Sequence, residues 1–236
     1  VLVAAALCPH PPLLDPAVAG RAAPELNDCR AACTAALDDL DAAGADLLVV
    51  VGAGATTRPH DAGDVGSLAP FGVDVRRTLA GARAPATAPA VLPLSLSIAG
   101  WLLGGARRPG PLIGRQVAVD AAPGECLGLG AGLAASAPRV ALLVMADLSG
   151  RRSPTAPGYL DPRSVPFDDS VERALADGDT AALAAIDPAL AHDLLVGGRA
   201  ALQVLAGAGP LGPGTVRAAL DPYGVRYVVA SWSPGR

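Results

Sequence analysis

An unbroken apolar run at the start of the chain, Val1-Leu2-Val3-Ala4-Ala5-Ala6-Leu7, stops at Cys8-Pro9-His10-Pro11-Pro12. The run is too short for a core helix and shows no polar alternation, so it predicts a β-strand covered on both faces. Leu47-Leu48-Val49-Val50-Val51 and Arg139 to Met145 repeat the pattern. Runs of this kind, separated by helical periodicity, select an α/β fold with a mainly parallel sheet. Prolines on both sides of His10 fix φ and hold the preceding residues extended. The imidazole is therefore expected on a stiff loop just beyond the carboxyl end of a buried strand, the place where open α/β sheets build their sites.

Between the first two runs, Pro16 to Ala43 reads as one helix, because Ala22, Leu26, Cys29, Ala32, Cys33, Ala36, Leu37 and Leu40 recur three and four residues apart. Strand, helix and strand at this spacing make a right-handed βαβ unit with parallel strands. Thr57 to Pro70 is polar and reads as a long loop carrying His60, Asp61 and Asp64, with Phe71 to Val75 a candidate edge strand. Leu92 to Leu103 is a strand or the start of a helix, Val117 to Val119 a short strand, and Pro123 to Ser136 a helix. Arg151 to Pro166 is a polar loop placed to lie over a site, in which Tyr159 either anchors the loop or touches a ligand. Phe167 to Ala176 and Thr180 to Ile186 are helical, Pro188 opens a helix running through Leu205, and Val225 to Trp232 is the last strand. Residues 1–236 are expected to form one domain, since a chain of 236 residues can bury one large α/β core.

Several chemistries are excluded at the level of composition. All 18 basic residues are Arg, which removes a Schiff-base lysine, a P-loop lysine and a Ser-Lys dyad together. No basic stripe with interleaved aromatics is present, which argues against nucleic acid as a partner. Gly52-Ala53-Gly54 follows a strand, but Thr57 stands where a third glycine belongs and Pro59 interrupts the phosphate-binding helix, so a dinucleotide site is disfavoured. The cluster Gly128-Leu129-Gly130-Ala131-Gly132 instead suggests a helix whose small residues pack closely on a neighbour. Ser149 lacks the glycines of a nucleophile elbow. Cys8, Cys29, Cys33 and Cys126 do not follow metal-ribbon spacing and read as reduced thiols of a cytoplasmic protein. No apolar stretch reaches the roughly 20 residues of a membrane helix, and the low net charge of −4 with an apolar bias makes a homodimer a reasonable expectation.

Four segments carry a resemblance to a known family: Cys8-Pro9-His10-Pro11-Pro12-Leu13-Leu14, Ala45 to Gly54, Ala141 to Asp147 and Ala156-Pro157-Gly158-Tyr159-Leu160-Asp161-Pro162. In that order they resemble the B-type catalytic subunit of class III extradiol ring-cleavage dioxygenases, a superfamily that includes Memo-like proteins, and within it an alanine-rich actinobacterial branch. The resemblance implies a single α/β domain with a mainly parallel central sheet, helices on both faces and a phosphorylase/hydrolase-like topology. It also implies non-heme Fe(II) held by two His and one carboxylate, with open positions for a catechol-like ligand and dioxygen.

His10 matches the first metal ligand of that family. The second belongs after the next parallel strand, where this chain has Gly52-Ala53-Gly54, so His60 becomes the substitute candidate ligand, with a catalytic role open to it as well. Asp147 occupies the place of the acid/base His and is the other catalytic candidate. No matching Glu is found in the C-terminal part; His192 and Asp193 lie nearest to it and are equally explained as an exposed polar pair. Three functions stay open: an extradiol dioxygenase-like protein with an incomplete metal site, an active dioxygenase whose ligands are rearranged among His10, His60, Asp147 and Cys8, and a non-catalytic ligand-binding or interaction module. The corresponding cofactors are Fe(II), Zn or none.

Overall fold

The continuous apolar runs become the middle of a seven-stranded sheet in a computed structural model that describes residues 1–104 and 110–233. Strand β1 (Leu2–Cys8) leads into a 3-10 turn at Pro12–Leu14 and a single helical turn α1 (Pro16–Ala19), then a 3-10 segment Gly20–Leu26 and helix α2 (Asn27–Ala42). The expected single helix from Pro16 to Ala43 is thus broken. Gly20 takes a left-handed φ of 54° and Pro24 sits inside the 3-10 segment, where it removes a backbone donor.

β2 (Leu47–Gly54), β3 (Arg58–Asp61), β4 (Val65–Ser67) and β5 (Arg76–Thr78) follow, then α3 (Leu94–Leu103), β6 (Leu112–Ala118), α4 (Pro123–Ala134) and β7 (Val140–Met145). The chain ends with α5 (Ser164–Asp177), α6 (Thr180–Ala184), α7 (Pro188–Asp193), α8 (Arg199–Gly207), β8 (Thr215–Leu220) and β9 (Tyr227–Trp232). The sheet order is β3-β6-β2-β7-β1-β9-β8. β6, β2, β7 and β1 are parallel, while β3 closes one edge in antiparallel pairing and the antiparallel strands β9 and β8 complete the other, with β8 outermost. β1 and β2 are parallel as expected, with β7 between them.

Side chains alternate across the sheet, and this divides the core in two. Leu7, Val49, Val51, Leu142 and Val144 face α4 to α8, whereas Ala6, Cys8, Val50, Leu143 and Met145 face α2 and α3. On α2 the buried residues are Cys29, Ala32, Cys33, Ala36, Leu37 and Leu40, the stripe that the periodicity picks out. Among the glycines of α4, Gly130 serves contact with α8: a Cβ there would lie 2.0 Å from the Val204 carbonyl oxygen. No described helix is long and apolar enough to cross a membrane.

Four other expectations change. Thr57 to Pro70 is not a loop, because it contains β3 and β4, and Phe71 belongs to a 3-10 turn while Arg76–Thr78 pairs with β4. β6 extends well N-terminal to Val117. The helix from Pro188 is interrupted between Asp193 and Arg199, where Leu195 takes a left-handed φ of 56° ahead of Gly197-Gly198.

Candidate functional site

The parallel strands β1 and β7 end side by side, and their pairing at Cys8 and Met145 delivers His10 and Asp147 to the same place. The Ala146 amide donates to the Cys8 carbonyl at 3.0 Å, and the His10 amide donates to Asp147 Oδ1 at 2.8 Å. The carboxylate thus anchors the proline-stiffened loop. It also stands 3.7 Å from His10 Nδ1. That distance is beyond hydrogen-bonding range, and Nδ1 is a buried ring nitrogen with no hydrogen-bond partner. The His10 side chain is 13 % exposed.

The other ring nitrogen lies next to Gly197: a Cβ placed there would be 3.9 Å from His10 Nε2. Gly197 in turn lines a cavity of about 560 Å³ together with Val119, Asp120, His192, Leu195 and Arg199, so His10 and Asp147 stand behind the Gly197 wall of this cleft and do not line it themselves. That volume lies within the range of small-molecule sites, about 300–1,000 Å³. The cleft opens beyond the carboxyl ends of the parallel strands, as expected for a sheet of this type.

Arg199, buried at the start of α8, holds this wall in place. Its guanidinium donates to the carbonyls of Val119 at 2.6 Å and Ala121 at 2.5 Å and to Gln203 Oε1 at 3.0 Å. Gly198 completes the wall by donating to the Asp147 carbonyl at 2.9 Å. Reading one helix from Pro188 to Leu205 hides this wall from the sequence; the Gly197-Gly198 pair followed by Arg199 is the signal that could have revealed it.

Of the sequence-derived candidates, the structure brings together His10 and Asp147 and separates His60. His60 lies on the edge strand β3 opposite Gly114, four strand positions from β1. At about 4.8 Å per strand that is roughly 19 Å, far beyond the span of two ligands on one ion. Both of its ring nitrogens are already engaged, Nδ1 with Asp64 Oδ2 at 2.8 Å and Nε2 with Gln116 Oε1 at 3.1 Å. His60 is a buried structural histidine, and neither the shared metal site nor a catalytic role beside His10 fits this position. His192 and Asp193 lie on the exposed side of α7, Asp193 pairing with Arg163 at 3.2 Å.

A facial triad does not fit the residues present. The end of β2, where a second imidazole would belong, is filled: a Cβ on Gly52 would meet Ser95 Oγ at 2.5 Å, and one on Gly54 would meet the Gln116 side chain at 2.5 Å. The thiols of Cys8, Cys29 and Cys33 below are free and buried, and hydrogen bonding to Cys33 together with burial pushes the Cys29 thiol above its ordinary value. Among the described residues, no three His, Cys, Asp or Glu side chains converge in a metal-binding group.

The loop beside the Leu195 rim of the cleft is fastened by a buried carboxylate. Asp168 accepts from the Ser149 amide at 3.0 Å, the Ser149 hydroxyl at 2.6 Å and Arg152 at 2.9 Å. Burial raises the pKa of this carboxyl, with those hydrogen bonds and the Arg152 charge opposing the shift.

No family model and no curated protein matches the chain. Among solved structures it is similar to an uncharacterized protein, JW3007, from Escherichia coli K12, with a TM-score of 0.60 and 15% sequence identity over 99% of this chain and 100% of that one. The likeness extends through the whole α/β architecture.

Proposed function

We propose that this chain is a small-molecule-binding relative of the extradiol dioxygenase catalytic subunits, with a catechol-like ligand in the cleft and no iron centre. The reading rests on the His10 imidazole. One ring nitrogen is buried without a partner beside Asp147, and the other lies next to Gly197, a residue of the cleft wall. A buried ring nitrogen without a partner is costly to the fold, and such groups concentrate where a ligand or a proton is to be received. A phenolic hydroxyl entering from the cleft supplies both a donor and an acceptor to this pair.

Asp147 fixes the backbone of residue 10 by accepting its amide, and its carboxylate stands 3.7 Å from the ring Nδ1. Bound ferrous iron, in the proteins that the sequence resembles, supplies dioxygen activation; the filled end of β2 speaks against that chemistry here. We place the protein in the cytoplasm, in keeping with four free thiols. The test is an absorbance titration with 4-nitrocatechol in the presence of a chelator. Saturable binding that His10→Ala weakens by tenfold or more supports the reading, and binding that His10→Ala leaves unchanged refutes it.

A further inference from the structure

Two bulky apolar residues beside this cleft stand in a backbone conformation that favours glycine. Leu195 has φ 56° and Tyr159 has φ 58°. Leu195 occupies the position after the end of α7 where a glycine usually closes the helix: the Leu195 amide donates to the His192 carbonyl and the Val196 amide to that of Ala191. Both side chains also stand in water, Tyr159 74 % exposed and Leu195 45 %. The two positions are neighbours, because a Cβ on Gly158 would fall 2.6 Å from Leu195 Cδ1. Each residue thus carries a backbone strain and an unburied apolar surface, and strained outliers that persist in this way gather at ligand clamps.

We infer that Tyr159 and Leu195 form the apolar grip at the mouth of the cleft, closing on the flat face of a small aromatic ligand. This inference rests on the binding role of the His10 cleft. Leu195 itself lines the cavity, and the loop carrying Tyr159 is tied to the rim segment 193–195 by the Gly150 amide donating to the Leu194 carbonyl and by Arg163 bridging to Asp193. Tyr159 is too exposed to anchor that loop, a task met by Asp168 and its partners. An aromatic ring on the rim offers a stacking surface of about the size of the ligand ring.

The test pairs stability with affinity in Tyr159→Gly, with 4-nitrocatechol as probe. Relief of the left-handed strain is expected to raise Tm by about 2–4 °C. Loss of the stacking partner is expected to weaken the probe by about fivefold. Leu195→Ala, which keeps the backbone strain and removes most of the side chain, is expected to weaken the probe without the gain in Tm. Unchanged affinity in Tyr159→Gly overturns the inference while leaving the cleft reading intact. A fall in Tm overturns it in favour of a structural anchor. A dimer in light scattering that Tyr159→Gly dissociates overturns it in favour of a contact between two copies of the chain. If the wild-type protein does not bind the probe, the cleft reading fails and takes this inference with it.

Discussion

Gly128 and Gly130 lie two residues apart on α4 and should respond to the same substitution with opposite sign. A Cβ on Gly128 meets nothing within 4 Å, so Gly128→Ala gains only helix propensity, about 0.8–1 kcal/mol. A Cβ on Gly130 falls 2.0 Å from the Val204 carbonyl oxygen and 2.8 Å from the Ala208 amide nitrogen, where ordinary contact begins at 3.4 Å. The carbonyl would have to retreat by about 1.4 Å, and it belongs to the backbone of a buried helix rather than to a movable side chain. Overpacking of this kind costs about 1–3 kcal/mol or more, enough to exceed the propensity gain. For a chain of this size each kcal/mol moves Tm by about 2–4 °C. Differential scanning calorimetry should therefore show Gly128→Ala melting a few degrees above the wild type and Gly130→Ala several degrees below it. The displaced α8 also carries Arg199 and follows Gly197-Gly198, so Gly130→Ala should weaken 4-nitrocatechol binding as well. Equal shifts of the same sign in the two variants would refute the α4–α8 contact and the placement of the cleft wall that depends on it.

Further outcomes follow from the same contacts. Asp161, held by hydrogen bonds from Arg163, should titrate at about 2 in a carbon-detected NMR experiment and return towards the ordinary carboxylate range in Arg163→Gln. Because its folded-state pKa is depressed, its contribution to stability is present above about pH 4 and is lost as the pH falls towards 2. Asp168→Ala strips three hydrogen bonds from a buried carboxylate and leaves Ser149 and Arg152 short of a partner, a loss of about 3–5 kcal/mol that a denaturant melt would record. His60→Ala should lower stability by about 1–3 kcal/mol while leaving probe affinity unchanged, since the ring lies on the far edge of the sheet; a tenfold loss of affinity would place His60 in the site after all.

The central strands are legible in the sequence because burial on both faces leaves no room for polar residues in β1, β2 and β7. The edges are less so. β3 reads Arg58-Pro59-His60-Asp61, a polar stretch that becomes a strand only because β6 offers a free edge to pair with, and its proline is tolerated at an edge. His10 and Asp147 can be placed in one pocket from strand ends alone, since two buried parallel strands must finish at the same face. The failure of His60 to join them is hidden for the same reason that β3 is: its position depends on long-range pairing. The cleft wall is concealed by helical periodicity that continues across Leu195, where a leucine occupies a position that ordinarily announces itself with glycine. The filling of the β2 end by Ser95 and Gln116, which decides against a second metal ligand, comes from elements over forty and sixty residues away.

The chain has only three histidines, His10, His60 and His192, so ring nitrogen shifts can be assigned to each of them. The most direct measurement is a nitrogen-15 NMR spectrum of the imidazoles in chelator-treated protein before and after addition of catechol. A ligand docked against the His10–Asp147 pair should move the His10 ring signals and leave those of His60 in place. A His10 signal that stays fixed in the chelated protein, or that moves only once ferrous iron is restored, would contradict a metal-independent binding site.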